Sequence, residues 1–254
     1  MTDFKHLWLG VLSGCLLMVP ALAQEGWTPE RSLEVKRLSD LSFSPDSSEL
    51  LYGINSVDLD GDQYLTEYVV SDLTGASVRT LLPASPDISG PQWSPDGSRV
   101  AYLSSASGVS NIWIVPLDGS NPRPVTDQKT DVQSFKWAPD GNAIAFVMED
   151  PTYVPPPVQN ADDYARNQLW MVRLAEGAQD GAAVNLTPDA DFSVSAWAGN
   201  WAYDWAPDSS AVVFAHQERP GLDYWTKAQL SITEVATQKV TLIPTGNAHW
   251  KYFP

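Results

Sequence analysis

Trp93-Ser94-Pro95-Asp96-Gly97-Ser98-Arg99-Val100-Ala101-Tyr102-Leu103 is the stretch whose reading decides the fold. Pro95 fixes its own φ, Asp96 offers a carboxylate to nearby backbone N–H groups, and Gly97 admits a tight turn. A tryptophan enters the turn and a continuous apolar run leaves it, which describes a hairpin buried on both faces. The pattern returns as Phe43-Ser44-Pro45-Asp46, Trp137-Ala138-Pro139-Asp140-Gly141 and Trp205-Ala206-Pro207-Asp208. In every copy the seventh residue after the proline is aromatic: Tyr52, Tyr102, Phe146 and Phe214.

The repeat prolines stand 50, 44 and 68 residues apart, the last step reading as one unit that carries insertions. Further strands follow each motif: Tyr68 to Leu73, Ile112 to Leu117, Leu169 to Leu174 and Leu230 to Val235, each ending at a turn. Short outer strands complete the units at Val78 to Leu82, Arg123 to Thr126, Val184 to Thr187 and Val240 to Ile243. Four strands per unit and a period of this length predict an all-β fold, a partial β-propeller of about four four-stranded blades. Tyr252-Phe253-Pro254 repeats the aromatic-x-Pro entry, so a fifth blade is expected to begin there and be cut off.

Composition agrees with strands and turns, with 11 Trp and 20 Pro in 254 residues. The net charge of −16 is spread along the chain, and 15 Lys and Arg form no dense basic patch, which argues against nucleic acid as a partner. Residues 1–23 read as an export signal: Lys5 and His6, an apolar run from Leu7 to Leu22, then Ala21-Leu22-Ala23 before Gln24. The chain is therefore expected to be periplasmic or secreted, with no transmembrane helix once the signal is removed. Leu12-Ser13-Gly14-Cys15 also fits a lipoprotein box, but cleavage after Ala23 accounts for the whole apolar run and leaves no cysteine. Residues 24–42 form an N-terminal segment in which Thr28-Pro29-Glu30 starts a short helix reaching about Lys36. Residues 43–254 hold the incomplete propeller.

Two stretches break the rhythm, Glu149 to Asn167 with Pro155-Pro156-Pro157, and Asp189 to Tyr203 with Trp197 and Trp201. Long loops in a compact domain are either functional or surface elaborations. The repeat tryptophans Trp93, Trp113, Trp137, Trp170 and Trp205 fall at buried strand positions, whereas Trp197, Trp201 and Trp250 lie outside that register and suit a partner-facing surface. His216 reads as following a buried strand, with His249 in the tail.

The repeated aromatic-Ser/Ala-Pro-Asp-Gly turns resemble the propeller repeats of TolB and of the prolyl oligopeptidase family of serine peptidases. Trp27-Thr28-Pro29-Glu30, followed by Val35-Lys36-Arg37 and the first repeat, resembles the mature N-terminus of exported dipeptidyl-peptidase and acylaminoacyl-peptidase-like members. The resemblance implies a propeller of seven or eight blades capping a C-terminal α/β-hydrolase domain. That domain would be the partner, with peptides as the substrates admitted and the catalytic Ser, Asp and His all in the hydrolase. No G-x-S-x-G elbow occurs here, so this chain is expected to hold no catalytic residue and no peptidase activity of its own. No cofactor is implied. The alternative is a TolB-like periplasmic interaction module.

Two acidic groups merit weighing. Glu149 and Asp150 leave a strand for the long loop; the resemblance implies that propeller carboxylates there can hold a substrate's free amine, while an acidic pair at a strand end is otherwise solvated. Asp58, Asp60 and Asp62 alternate as in a calcium loop, yet Gln63 and Val69 stand where an EF-hand needs Gly and Glu. A polar hairpin loop is the simpler reading, with weak calcium binding and calcium-dependent stabilisation as the other. Severed blade faces and edges further imply self-association of the isolated chain.

Overall fold

The computed structural model describes residues 28–153, 166–174, 182–188, 190–194, 196–197, 200–217 and 228–244. The export signal, Cys15, Pro155-Pro156-Pro157, His249, Trp250 and the closing Tyr252-Phe253-Pro254 lie outside the described residues. The chain divides into two units, residues 1–35 and 36–254. In the first, the Thr28 hydroxyl accepts the Arg31 N–H at 3.3 Å and Pro29 opens α1 (Pro29–Leu33). The helix is shorter than the sequence suggests. Glu34 already caps it, and strand pairing begins at Arg37.

The second unit is a run of antiparallel blades. Blade 1 comprises β1 (Arg37–Phe43), β2 (Glu49–Asp58), β3 (Gln63–Asp72) and β4 (Val78–Ser85). Blade 2 comprises β5 (Ile88–Trp93), β6 (Arg99–Ser104), β7 (Asn111–Pro116) and β8 (Arg123–Pro124). Blade 3 comprises β9 (Val132–Trp137), β10 (Ala143–Glu149), β11 (Asn167–Arg173) and β12 (Val184–Asn185). In blade 4 the first strand is split: β13 (Ser193–Val194) and β16 (Tyr203–Trp205) both pair with β17 (Ala211–Gln217), which leads to β18 (Gln229–Glu234) and β19 (Val240–Ile243). Between the halves stands a hairpin of β14 (Ala196–Trp197) and β15 (Asn200–Trp201). The stretch read as a loop before the fourth motif therefore contains the start of blade 4's own first strand.

The cores lie between blades. Leu51, Tyr68 and Val70 of blade 1 pack against Val100, Tyr102 and Val115 of blade 2. Ala101, Ile112 and Ile114 then meet Phe135, Ile144, Phe146 and Met148 of blade 3. Ala145, Val147, Leu169 and Met171 in turn meet Tyr203, Trp205, Val212 and Phe214 of blade 4. Because residues alternate across a strand, one rule serves all three interfaces. The aromatic seven residues after the proline faces the preceding blade, and its predecessor (Leu51, Ala101 or Ala145) faces the next.

This rule corrects one expectation. Burial on both faces holds for β10, where Ala143 through Met148 are all buried. In β17 the pattern alternates between buried and half-buried, because among the described residues blade 4 has a neighbour on one side only. The tryptophans follow a similar gradation. Trp137 and Trp205 are buried and donate from Nε1 to the carbonyls of Gln92 (3.3 Å) and Lys136 (3.1 Å), each on the first strand of the preceding blade. Trp93, Trp113 and Trp170 are half-buried at the core margins, contrary to the reading of full burial.

The turns behave as their residues dictate. The Ser94 hydroxyl bonds Asp96 at 2.6 Å, and with Ser98 it holds the Asp96 carboxyl down at about 2. The third residue of each Pro-Asp turn is left-handed, Ser47, Gly97, Gly141 and Ser209 with φ of 61°, 71°, 72° and 59°. Gly97 and Gly141 also sit close to the preceding proline; a Cβ on Gly97 would lie 3.4 Å from Pro45 Cδ. That is ordinary van der Waals contact, so it is the left-handed backbone that favours glycine at these two turns.

Candidate functional face

In a four-stranded antiparallel blade, the first and third connections emerge at one end and the second connection emerges at the other. The first end carries the tight Pro-Asp turns. The opposite end carries the long segments, the connection from β10 to β11 and the one from β17 to β18. The insertion-bearing end is the candidate functional face.

The base of the β10–β11 connection is built from the residues flanking it. The Asp150 N–H donates to the Arg166 carbonyl at 2.7 Å, closing the neck. The Arg166 guanidinium lies 4.5 Å from the Tyr153 ring centroid, donates to the Ala190 carbonyl at 2.8 Å and reaches Asp191 at 3.1 Å. Asp191 is 97% exposed, so that ion pair adds little; the stacked ring and the carbonyl hold the arginine. Glu149 ends β10 and its carbonyl accepts from the Thr130 hydroxyl. Asp150 Oδ1 accepts from both the amide and the hydroxyl of Thr152 and shapes its own turn.

The Asp58-to-Asp62 segment is a hairpin loop between β2 and β3. Asp58 Oδ1 accepts from the Asp60 and Gly61 amides at 3.2 and 3.1 Å, and Oδ2 accepts from Gln63. These donors, Gly61 foremost, hold its carboxyl below the usual range. Among the described residues, no group of three or more His, Cys, Asp or Glu is placed to hold a metal ion. Trp197 and Trp201 belong to the β14–β15 hairpin, where they pair with Asn200 and Ala196.

A polar network at the first strand of blade 1 had no counterpart in the sequence reading. Asp40 is left-handed at φ 52° within a bulge of β1, as Gly90 is at φ 59° in the bulge of β5. The buried Tyr68 hydroxyl donates to Asp40 Oδ2 at 2.8 Å, and Ser39 reaches the same oxygen at 3.1 Å. Asn55 bonds Ser39, and Thr66 bonds Asn55. Burial, then the Asp40 carboxylate, pushes the Tyr68 phenol well above its ordinary value. Asp40 and Gly90 each stand five residues before the repeat proline, a spacing that marks the bulge.

His216 lies inside β17 rather than after it. It is 6% exposed, 2.9 Å from the Ser231 hydroxyl and 4.2 Å from the Phe192 ring. Burial lowers its pKa, so the unfolded chain binds the proton more readily. Stability from this group is complete above the ordinary value of about 6.5 and is lost as pH falls from there toward the lowered folded value. Urea midpoints should therefore drop between pH 7.5 and 5.5 more in the wild type than in His216→Gln. Parallel slopes in the two proteins would remove this role.

Consecutive blades stitched face to face, their first strands adjoining, define a β-propeller. The sequence narrows the class. Residues 44–135 match the dipeptidyl peptidase IV N-terminal region. Dipeptidyl-peptidase 5 of Porphyromonas gingivalis is 26% identical over 84 residues, covering 33% of this chain and 12% of that protein. The Tol-Pal system protein TolB of Chromobacterium violaceum is 31% identical over 98 residues, 35% of this chain and 22% of that one. Acylaminoacyl peptidase of Pyrococcus horikoshii shares the fold with a TM-score of 0.57 at 16% identity, across 84% of this chain and 33% of its own. The blades thus form a β-propeller fold that is similar, over residues 44–135, to the dipeptidyl peptidase IV N-terminal region. The matches take in well under half the length of these relatives. Among the described residues no helix is long and apolar enough to cross a membrane.

Proposed function

We propose that this chain is the propeller part of an exported serine peptidase of the prolyl oligopeptidase family. In this reading it limits which peptides reach an α/β-hydrolase domain lying outside these 254 residues. The observation that carries it is the match of residues 44–135 to the dipeptidyl peptidase IV N-terminal region, supported by the dipeptidyl-peptidase relative. The nucleophile and its partners would come from the hydrolase domain. Glu149 and Asp150 are carboxylates that could meet a peptide amine, and Glu149 is the better placed because Asp150 already serves its own turn. The TolB relative supports a second reading, an interaction module of the periplasm without a catalytic partner.

One experiment separates them. An antibody to the propeller is used on envelope fractions of the source cells after labelling with a fluorophosphonate, which marks active serine hydrolases. A labelled species well above 27.8 kDa is the expected result. An unlabelled species near that mass, recovered with another envelope protein, overturns the peptidase reading in favour of the second.

A further inference from the structure

In blades 3 and 4 the tryptophan that enters the repeated turn ties its blade to the one before. Trp137 Nε1 donates to the Gln92 carbonyl at 3.3 Å, and Trp205 Nε1 donates to the Lys136 carbonyl at 3.1 Å. Gln92 and Lys136 each stand three residues before a repeat proline, and each also sends its side chain across the same seam. The Gln92 amide donates to the Phe135 carbonyl at 2.8 Å, and the Lys136 ammonium reaches Asp204 at 3.3 Å. Between blades 1 and 2 the corresponding residues are Trp93 and Ser42. Ser42 pairs with Leu51 and Trp93 with Val100, so both face the core that these two blades share. Yet Trp93 Nε1 and Ser42 Oγ are both shut off from solvent and neither has a hydrogen-bond partner. Among the described residues one further side-chain atom is in that condition, Trp170 Nε1 at the core of blades 2 and 3.

Buried polar atoms are paired with protein or with ordered water. Serine is too short to cross the seam as glutamine and lysine do, so the protein itself supplies no partner to either atom. We propose that the seam between blades 1 and 2 binds an ordered water, which accepts from Trp93 Nε1 and is hydrogen-bonded to Ser42 Oγ. The Ser42 carbonyl is its third partner, since the carbonyls of Gln92 and Lys136 at the same repeat position take the indoles directly. Three polar partners in a closed site suffice to hold a buried water. Other occupants fit these atoms less well. An apolar molecule would leave both unpaired, and a cation would face the positive end of the indole N–H. This seam is thus bridged by water where the next two are bridged by side chains. The inference rests on the blade repeat and is independent of the peptidase reading.

The test is a crystal structure of the full chain at a resolution that shows ordered water, beside that of Ser42→Gln. A single solvent peak about 2.7–3.2 Å from both Trp93 Nε1 and Ser42 Oγ is expected in the wild type. In Ser42→Gln the peak should be gone, with the new amide crossing the seam as Gln92 does between blades 2 and 3. The urea midpoint of that variant should rise above the wild type's. A wild-type indole bonded directly to the Ser42 carbonyl would overturn the proposal, and so would two atoms still unpaired with no solvent between them. A Ser42→Gln structure that keeps the water, or a midpoint below the wild type's, would overturn it as well. Either would deny that the water occupies the room left by the shorter side chain.

Discussion

Phe146→Ala is expected to lower the unfolding free energy by about 3–5 kcal/mol, the usual cost of truncating a buried phenylalanine. Phe146 is 0% exposed in β10, the strand with neighbours on both sides, and its ring faces blade 2 within the second core. The cost has two parts: the apolar surface no longer removed from water, and a cavity that flanking blades close only partly. Both neighbours are anchored, since the Trp137 and Trp205 indoles tie the first strands of blades 2, 3 and 4 together. Collapse into the cavity is therefore resisted. Tyr64→Ala in β3, 77% exposed, should change stability by no more than about 0.5 kcal/mol. Urea denaturation followed by tryptophan fluorescence measures both. Similar midpoint shifts for the two variants would mean that the interblade cores are not what holds the arc.

Thr126→Val should cost about 1–3 kcal/mol, the penalty of leaving a buried N–H unpaired. The Thr126 hydroxyl accepts from the Ile112 amide at 2.9 Å and donates to Asn111 Oδ1 at 2.9 Å, with all three residues buried. Blade 3 repeats the device: Thr187 Oγ1 accepts from the Leu169 amide at 3.2 Å. The fourth strands β8 and β12 are only two residues long, so these hydroxyls take over the third strand's next donor where backbone pairing stops. Valine matches threonine in shape but offers no acceptor, whereas Thr126→Ser keeps one. Serine should recover most of the loss. Equal destabilisation by Val and Ser would assign the effect to packing instead.

The repeated turn was fully legible. Proline, aspartate and a left-handed third residue are local chemistry, and the order and position of the strands follow from them. What surrounds a strand was not. The apolar runs at Leu50 to Gly53 and Val212 to Ala215 look like that at Ile144 to Val147, yet only the last is enclosed on both faces, because enclosure depends on neighbouring blades. The split first strand of blade 4 is not legible for a related reason. Ser193 and Val194 are two residues long, and only their pairing with Gln217 and His216 makes them a strand. Asp40 is a lone Asp in a short polar stretch and carries no pattern until its repeat partner Gly90 is seen to share its backbone conformation. Of the proposed site residues, Glu149 and Asp150 do stand at the neck of the longest insertion, which the composition of that segment signalled.

The split strand of blade 4 also bears on how such a chain can change. β17 holds β13 and β16 in register independently, so the ladder does not depend on the length of what joins them. Lengthening a tether between two anchored ends adds only about 0.6 kcal/mol of closure entropy per doubling. The bulges at Asp40 and Gly90 interrupt the first strands of blades 1 and 2 in the same way, with one left-handed residue where blade 4 accommodates a hairpin. These points form a seam along which new segments can be grafted or exchanged while the blades keep their packing. Recognition can then diversify on an unchanged frame.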